Sequence, residues 1–177
     1  MRSFRPFRTT LVAILLGATL PALAAAQIEA GDKRVSFNGN ISKSTDANTD
    51  VEGNVQGEYA WYLNRNVALK FGAGVTFAGS TALGIVAAGT ELNMASAGQT
   101  NIPFLSLDVG TLFGSGLTAY VVEPGIGAHF FLSRQTSFDL QGVYTYVFAS
   151  AGGASAKATT IEARFGLSFY FGGGEKR

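Results

Sequence analysis

Between Thr159 and Phe171 the odd positions after Thr159 are apolar or aromatic: Ile161, Ala163, Phe165, Leu167, Phe169 and Phe171. The residues between them, Thr160, Glu162, Arg164, Gly166, Ser168 and Tyr170, are mostly charged, small or hydroxylated. Successive side chains of a strand point to opposite faces, so a period of two marks a strand with two unlike faces. The pattern recurs along the chain. Val51, Val55, Tyr59, Trp61 and Leu63 oppose Glu52, Asn54, Gln56, Glu58 and Tyr62. Val67, Leu69, Phe71, Val75 and Phe77 oppose Lys70, Gly72, Gly74 and Thr76. Phe138, Leu140, Tyr144, Tyr146 and Phe148 oppose Asp139, Gln141 and Thr145. Shorter stretches repeat it around Val35–Ser42, Pro103–Phe113 and Tyr120–Phe130.

The length of these segments decides what they are for. Most run about ten to fourteen residues, whereas strands of soluble proteins peak near five or six. A tilted strand needs about nine to eleven residues to cross a bilayer. The sequence therefore predicts membrane-crossing strands. Asn64-Arg65-Asn66 and Ser133–Thr136 read as short polar turns, and Lys43–Asp50 and Ser150–Lys157 as longer loops at the opposite end. That asymmetry suits a barrel of the bacterial outer membrane.

Seven segments are visible, and such barrels have an even strand number. The eighth must lie within 82–92, Ala-Leu-Gly-Ile-Val-Ala-Ala-Gly-Thr-Glu-Leu, which alternates only weakly. Sixteen strands would leave about nine residues each for crossing and turning, too few for both. The expected fold is an all-β, eight-stranded antiparallel up-and-down transmembrane β-barrel. Its last strand spans about 158–171, with a polar tail at 172–177.

The N-terminus reads as an address. Arg2, Arg5 and Arg8 precede an apolar run from Leu11 to Leu20, then Pro21 and the small residues Ala22 to Ala26. A basic stretch, a short apolar stretch and an Ala-x-Ala exit make a secretory signal peptide. Residues 1–26 are expected to be removed, leaving 27–177 as the barrel. The formal charge of +1 then becomes −2, because all three arginines belong to the signal. No basic footprint for nucleic acid remains. The absence of Cys excludes disulfides, thiol nucleophiles and cysteine-ligated metals.

Chemistry is sparse. His129 is the only histidine; the nearest Ser, Ser133, is separated from it by Phe-Phe-Leu, and alternation turns the imidazole inward. A lone His makes a poor metal site. No catalytic, metal or cofactor residues are expected. The polar face carries Glu52, Glu58, Lys70, Asp108, Glu123, His129, Asp139, Glu162 and Arg164. Eight strands enclose only enough space for side chains to fill, so these residues should form a paired lumen network. Tyr59, Trp61, Phe130 and Phe138 near one end and Tyr144 and Tyr146 near the other read as aromatic girdles.

At the C-terminus, Gly166-Leu167-Ser168-Phe169-Tyr170-Phe171 resembles the signal read by bacterial barrel-assembly machinery, with Gly166, Phe169 and Phe171 as its anchors. The hairpin Tyr120–Tyr146 also resembles the small outer-membrane β-barrel superfamily, which includes OmpX-like, OmpW-like and OmpA transmembrane-domain-like proteins. The resemblance implies an outer-membrane location. It implies outer-membrane lipid and the assembly machinery as partners, a monomer, and a structural, surface-interaction or minor passive-channel role. Two alternatives stay open. One is a soluble exported barrel binding an apolar ligand, which requires the opposite choice of inward face. The other is a lipid-modifying outer-membrane enzyme.

Overall fold

The computed structural model describes residues 28–43, 51–78, 81–96, 99–114, 116–151 and 154–172. Residues 1–27, which include the expected export signal, and residues 173–177 lie outside them. Eight strands follow one another: β1 (Lys33–Lys43), β2 (Val51–Asn64), β3 (Val67–Ala78), β4 (Thr81–Asn93), β5 (Asn101–Gly114), β6 (Leu117–Ser133), β7 (Thr136–Ala151) and β8 (Ala154–Phe171). Each pairs antiparallel with its sequence neighbours, and β8 pairs back onto β1 to close the barrel. Along the paired ladders backbone N–H and C=O groups have partners without water, the condition for strands in hydrocarbon.

The faces are inverted relative to a soluble protein. Phe37, Val55, Phe71, Leu107, Ile126 and Phe165 are exposed on the outer surface, whereas Arg34, Lys70, Glu91, Glu123, His129 and Arg164 are buried inside. A soluble ligand-binding barrel requires the reverse.

The weakly alternating stretch at 82–92 is β4. Its outward residues include Ala82, Gly84, Val86, Ala88 and Leu92, and its inward residues Ile85, Ala87, Gly89, Glu91 and Asn93. Small residues outside and apolar ones inside blur the contrast that marks the other strands.

The loops depart from expectation. At the end holding the chain termini, β2–β3 and β6–β7 turn through Arg65-Asn66 and Arg134-Gln135. Asn64 Oδ1 accepts from the Asn66 and Val67 amides at 2.8 and 3.0 Å, which stabilises the first turn. At the other end, only residues 79–80, 115–116 and 152–153 separate three of the strand pairs. The stretch Ser150–Lys157 is therefore not a long loop. β7 and β8 pair through Ser150↔Ser155 and Ala151↔Ala154, so β8 begins four residues before the expected start. Ala, Gly and Ser favour strands weakly, but the ladder is made by backbone, and the neighbouring register carries it on. The remaining connections, 44–50 at this end and 94–100 at the other, are longer. At Gly116 the turn needs φ +75°, a conformation glycine adopts without strain.

Glycine also makes room inside the barrel. A Cβ at Gly127, on the inner face, would lie 2.5 Å from the Phe104 ring and from the Leu140 carbonyl oxygen. At the lipid-facing Gly142 the nearest atom would be 3.8 Å away. Gly127→Val is expected to destabilise the barrel by about 1–3 kcal/mol through overpacking, and Gly142→Val to leave it unchanged. Urea midpoints of the refolded variants test this.

Candidate functional site

The lumen is built in three tiers. At the terminal end, Ile28, Tyr62, Ile102, Phe131 and Tyr170 bury against one another with Ala60 and Ala68. The rings of Phe131 and Tyr170 lie 4.9 Å apart. This apolar floor includes Ile28, from the segment that enters β1.

Above it lies a transverse layer of charge. Arg34 of β1 is at its centre, 2% exposed. Its guanidinium grips Glu91 of β4 in a fork, each nitrogen 2.7 Å from one carboxylate oxygen. It also donates to Glu58 of β2 at 2.7 Å and to the Tyr62 hydroxyl at 3.0 Å. The other Glu58 oxygen takes Lys70 of β3 at 3.1 Å, and Lys70 reaches Asp108 of β5 at 2.9 Å.

On the opposite flank, His129 of β6 is 1% exposed and stacks on Phe104, with ring centroids 4.4 Å apart. Its Nδ1 meets Asp139 of β7 at 2.8 Å. Its Nε2 stands 2.9 Å from Arg34 and 3.1 Å from Glu91, so it accepts from the former or, when protonated, donates to the latter. Ser168 of β8 donates to Asp139. Every strand thus contributes one group to a single chain of contacts across the barrel. Such charges tolerate burial only when paired and hydrogen-bonded.

The third tier turns on Arg164, which holds Glu123 by two contacts, at 2.5 and 3.2 Å, and Glu162 through Nε at 2.7 Å. Thr145 donates to Glu123 at 2.8 Å. Beside this tier the lumen widens into a cavity of about 460 Å³ that reaches the mouth. The voids among the charged groups below are about 20 Å³ each, room for roughly one water molecule.

The residues picked from sequence fall into place unequally. Glu58, Lys70, Asp108, His129 and Asp139 lie in the transverse layer, and Glu123, Glu162 and Arg164 in the tier above. Glu52 stands apart, exposed at the mouth cavity. Arg34 and Glu91, the centre of the layer, escaped the sequence reading. Arg34 lies one residue before the first apolar position taken as strand, although its parity with Ser36 places it inside. Glu91 lies in the weakly alternating stretch. With both added, the inner charges number seven acids and three bases.

Tyr59, Trp61, Phe130 and Phe138 point outward near the terminal end, where the Phe130 and Phe138 rings lie 6.4 Å apart. Tyr144 faces outward nearer the mouth, with Tyr146 beside Phe148 at 4.3 Å. Phe169 and Phe171 end β8 on the lipid-facing side, and Gly166 faces inward against β1. A Cβ at Gly166 would overlap Asn38, 2.8 Å from that residue's own Cβ, so closing the sheet requires a small residue there.

Among the described residues, no serine hydroxyl hydrogen-bonds to His129. Ser137 Oγ donates to Asp139 at 2.6 Å rather than to His129. Among the described residues, no group of three or more His, Cys, Asp or Glu could hold a metal ion.

An apolar outside, a closed sheet and an ion-paired inside define the barrel as one of the membrane type. No protein-family model matches the chain, and no curated protein does. Solved structures do share its fold. The N-terminal β-barrel domain of OprF from Pseudomonas aeruginosa superposes with a TM-score of 0.58 at 12% identity, covering 82% of this chain and 100% of that one. Neisserial surface protein A superposes with a TM-score of 0.54 at 14% identity, over 82% of this chain and 100% of that one. At such identities the likeness is one of fold. This chain has the eight-stranded fold of the small outer-membrane barrels.

Proposed function

We propose that the protein is an integral outer-membrane barrel with a closed lumen, exported by a cleaved signal peptide. Its role is structural or at the cell surface, without catalysis. The observation that carries this reading is the transverse layer: a group from each of the eight strands meets across the lumen above an apolar floor. An open pore needs a continuous water path, and at the transverse layer the interior is filled with side chains.

The outward apolar band suits outer-membrane lipid, and the last residues of β8 suit the assembly machinery. The closed sheet needs no second copy, so the barrel is proposed to act as a monomer. A catalytic role would need a group that meets substrate, and His129 is sealed within the layer.

Two measurements test the proposal. In unheated SDS gels the outer-membrane fraction should give a band that shifts on boiling. A protein found in the soluble periplasm without that shift would overturn the location. In planar bilayers the purified barrel should show no conductance steps, and sustained steps would overturn the closed lumen.

A further inference from the structure

The seam between β1 and β8 closes only part of the way. Register pairs run from Lys33↔Phe171 to Gly39↔Phe165 and then stop. Beyond them Asn40–Lys43 pair with β2 alone, and Ala154–Arg164 with β7 alone. Side chains bridge the gap instead. Asn40 donates to Glu162 across it, and Asn54 Nδ2 reaches the same carboxylate at 3.2 and 3.3 Å.

The mouth cavity lies directly behind this stretch. Ile161 and Ala163, which face outward on β8, also line it, and Ile161 is 81% exposed. The cavity volume of about 460 Å³ falls within the usual range of small-molecule sites.

Its walls differ in chemistry. On β1, β2 and β8 stand Asn40, Glu52, Asn54, Glu162 and Arg164; facing them, β4 to β7 supply Ile85, Leu112, Val121 and Val147, with Glu123 and Thr145 among them. Glu52, Glu123 and Glu162 outnumber the single guanidinium of Arg164, so the cavity has an excess of negative charge. Asn54 is 3% exposed, and its Oδ1 has no hydrogen-bond partner. That oxygen is sealed from the cavity, so the excess carboxylate of the lining is what matches a ligand bringing N–H donors and positive charge. The opposite wall matches an apolar body.

We propose that this cavity binds a small amphiphilic organic cation, an alkyl- or arylammonium. The ammonium would lie against Glu52 and Glu162, and the apolar chain against Val121 and Val147. Anions and neutral alcohols of the same length should bind more weakly. The inference rests on the membrane-barrel reading above.

The experiment uses the barrel in nanodiscs of zwitterionic lipid, with methyl signals of Ile85, Val121 and Val147 as reporters. Octylamine should shift all three saturably, about tenfold more tightly than octanol or octanoate. Butylamine should bind more weakly than octylamine. Glu52→Gln should weaken octylamine about tenfold, and Val147→Trp, which fills the cavity, should abolish the shifts. Equal binding of octanoate, equal binding of butylamine, or shifts confined to lipid-facing methyls such as those of Val75 would overturn the proposal. The same sample is run unheated and boiled, so loss of the gel shift would identify failure of the barrel reading rather than of the site.

Discussion

Arg34→Met is expected to lower the unfolding free energy of the barrel by about 3–5 kcal/mol, the usual cost of removing one partner from a buried charge pair. The guanidinium of Arg34 is the hub on which Glu58, Glu91, Tyr62 and His129 converge. Without it Glu91, 2% exposed, is left with His129, Asn93 and the Tyr62 hydroxyl as hydrogen-bond partners and no permanent positive charge. Urea unfolding of the refolded protein, followed through the single Trp61, measures the loss. The double variant Arg34→Met/Glu91→Gln distinguishes charge from packing. Replacing a whole buried pair is often close to neutral, so it should recover a large part of the deficit. An unchanged midpoint for Arg34→Met would show that the layer does not hold the barrel together.

Leu167→Arg should block assembly. Leu167 faces outward on β8, two residues inward of Phe169, beside Phe37 of β1 and Phe138 of β7. An arginine at mid-depth on the lipid face costs about 2–4 kcal/mol, falling to about 0–1 near the interfaces. Thr159→Arg on the same face, two residues from the natural Lys157, should therefore be tolerated. The amount of heat-modifiable protein in the outer-membrane fraction of cells expressing each variant reads the difference. Normal assembly of Leu167→Arg would contradict the outward register of β8.

The barrel was legible where two unlike solvents act on the two faces of a strand. In β2, β7 and β8 lipid outside and charge inside produce opposed rows, and parity alone puts Glu58, Asp139 and Arg164 in the lumen. The reading weakened where that contrast fades. β4 carries Ala and Gly outward and Ile85 inward because it lines the apolar wall of the mouth cavity, so Glu91 did not stand out. Arg34 was lost for a different reason: it adjoins Lys33 at the strand start, where a cation reads equally well as a rim residue. The 150–157 stretch shows a third limit. Its Ala, Gly and Ser residues carry no side-chain signal, while the hydrogen bonds that extend the hairpin belong to the backbone. No sequence pattern showed that β1 ends its pairing with β8 at Gly39.

The transverse layer also bears on the order of folding. Glu58–Lys70 and His129–Asp139 join neighbouring strands and can form while the sheet is still an open ribbon. Arg34–Glu91 joins the first strand to the fourth, and Arg164–Glu123 the eighth to the sixth. These contacts exist only once the ribbon has curled. Until then the arginines and glutamates on the inner face need hydration, so an incompletely rolled sheet must keep its concave side wet. Neutralising the interior and expelling that water are thus coupled to closure, which makes the final curling step the one at which the chain becomes compatible with hydrocarbon.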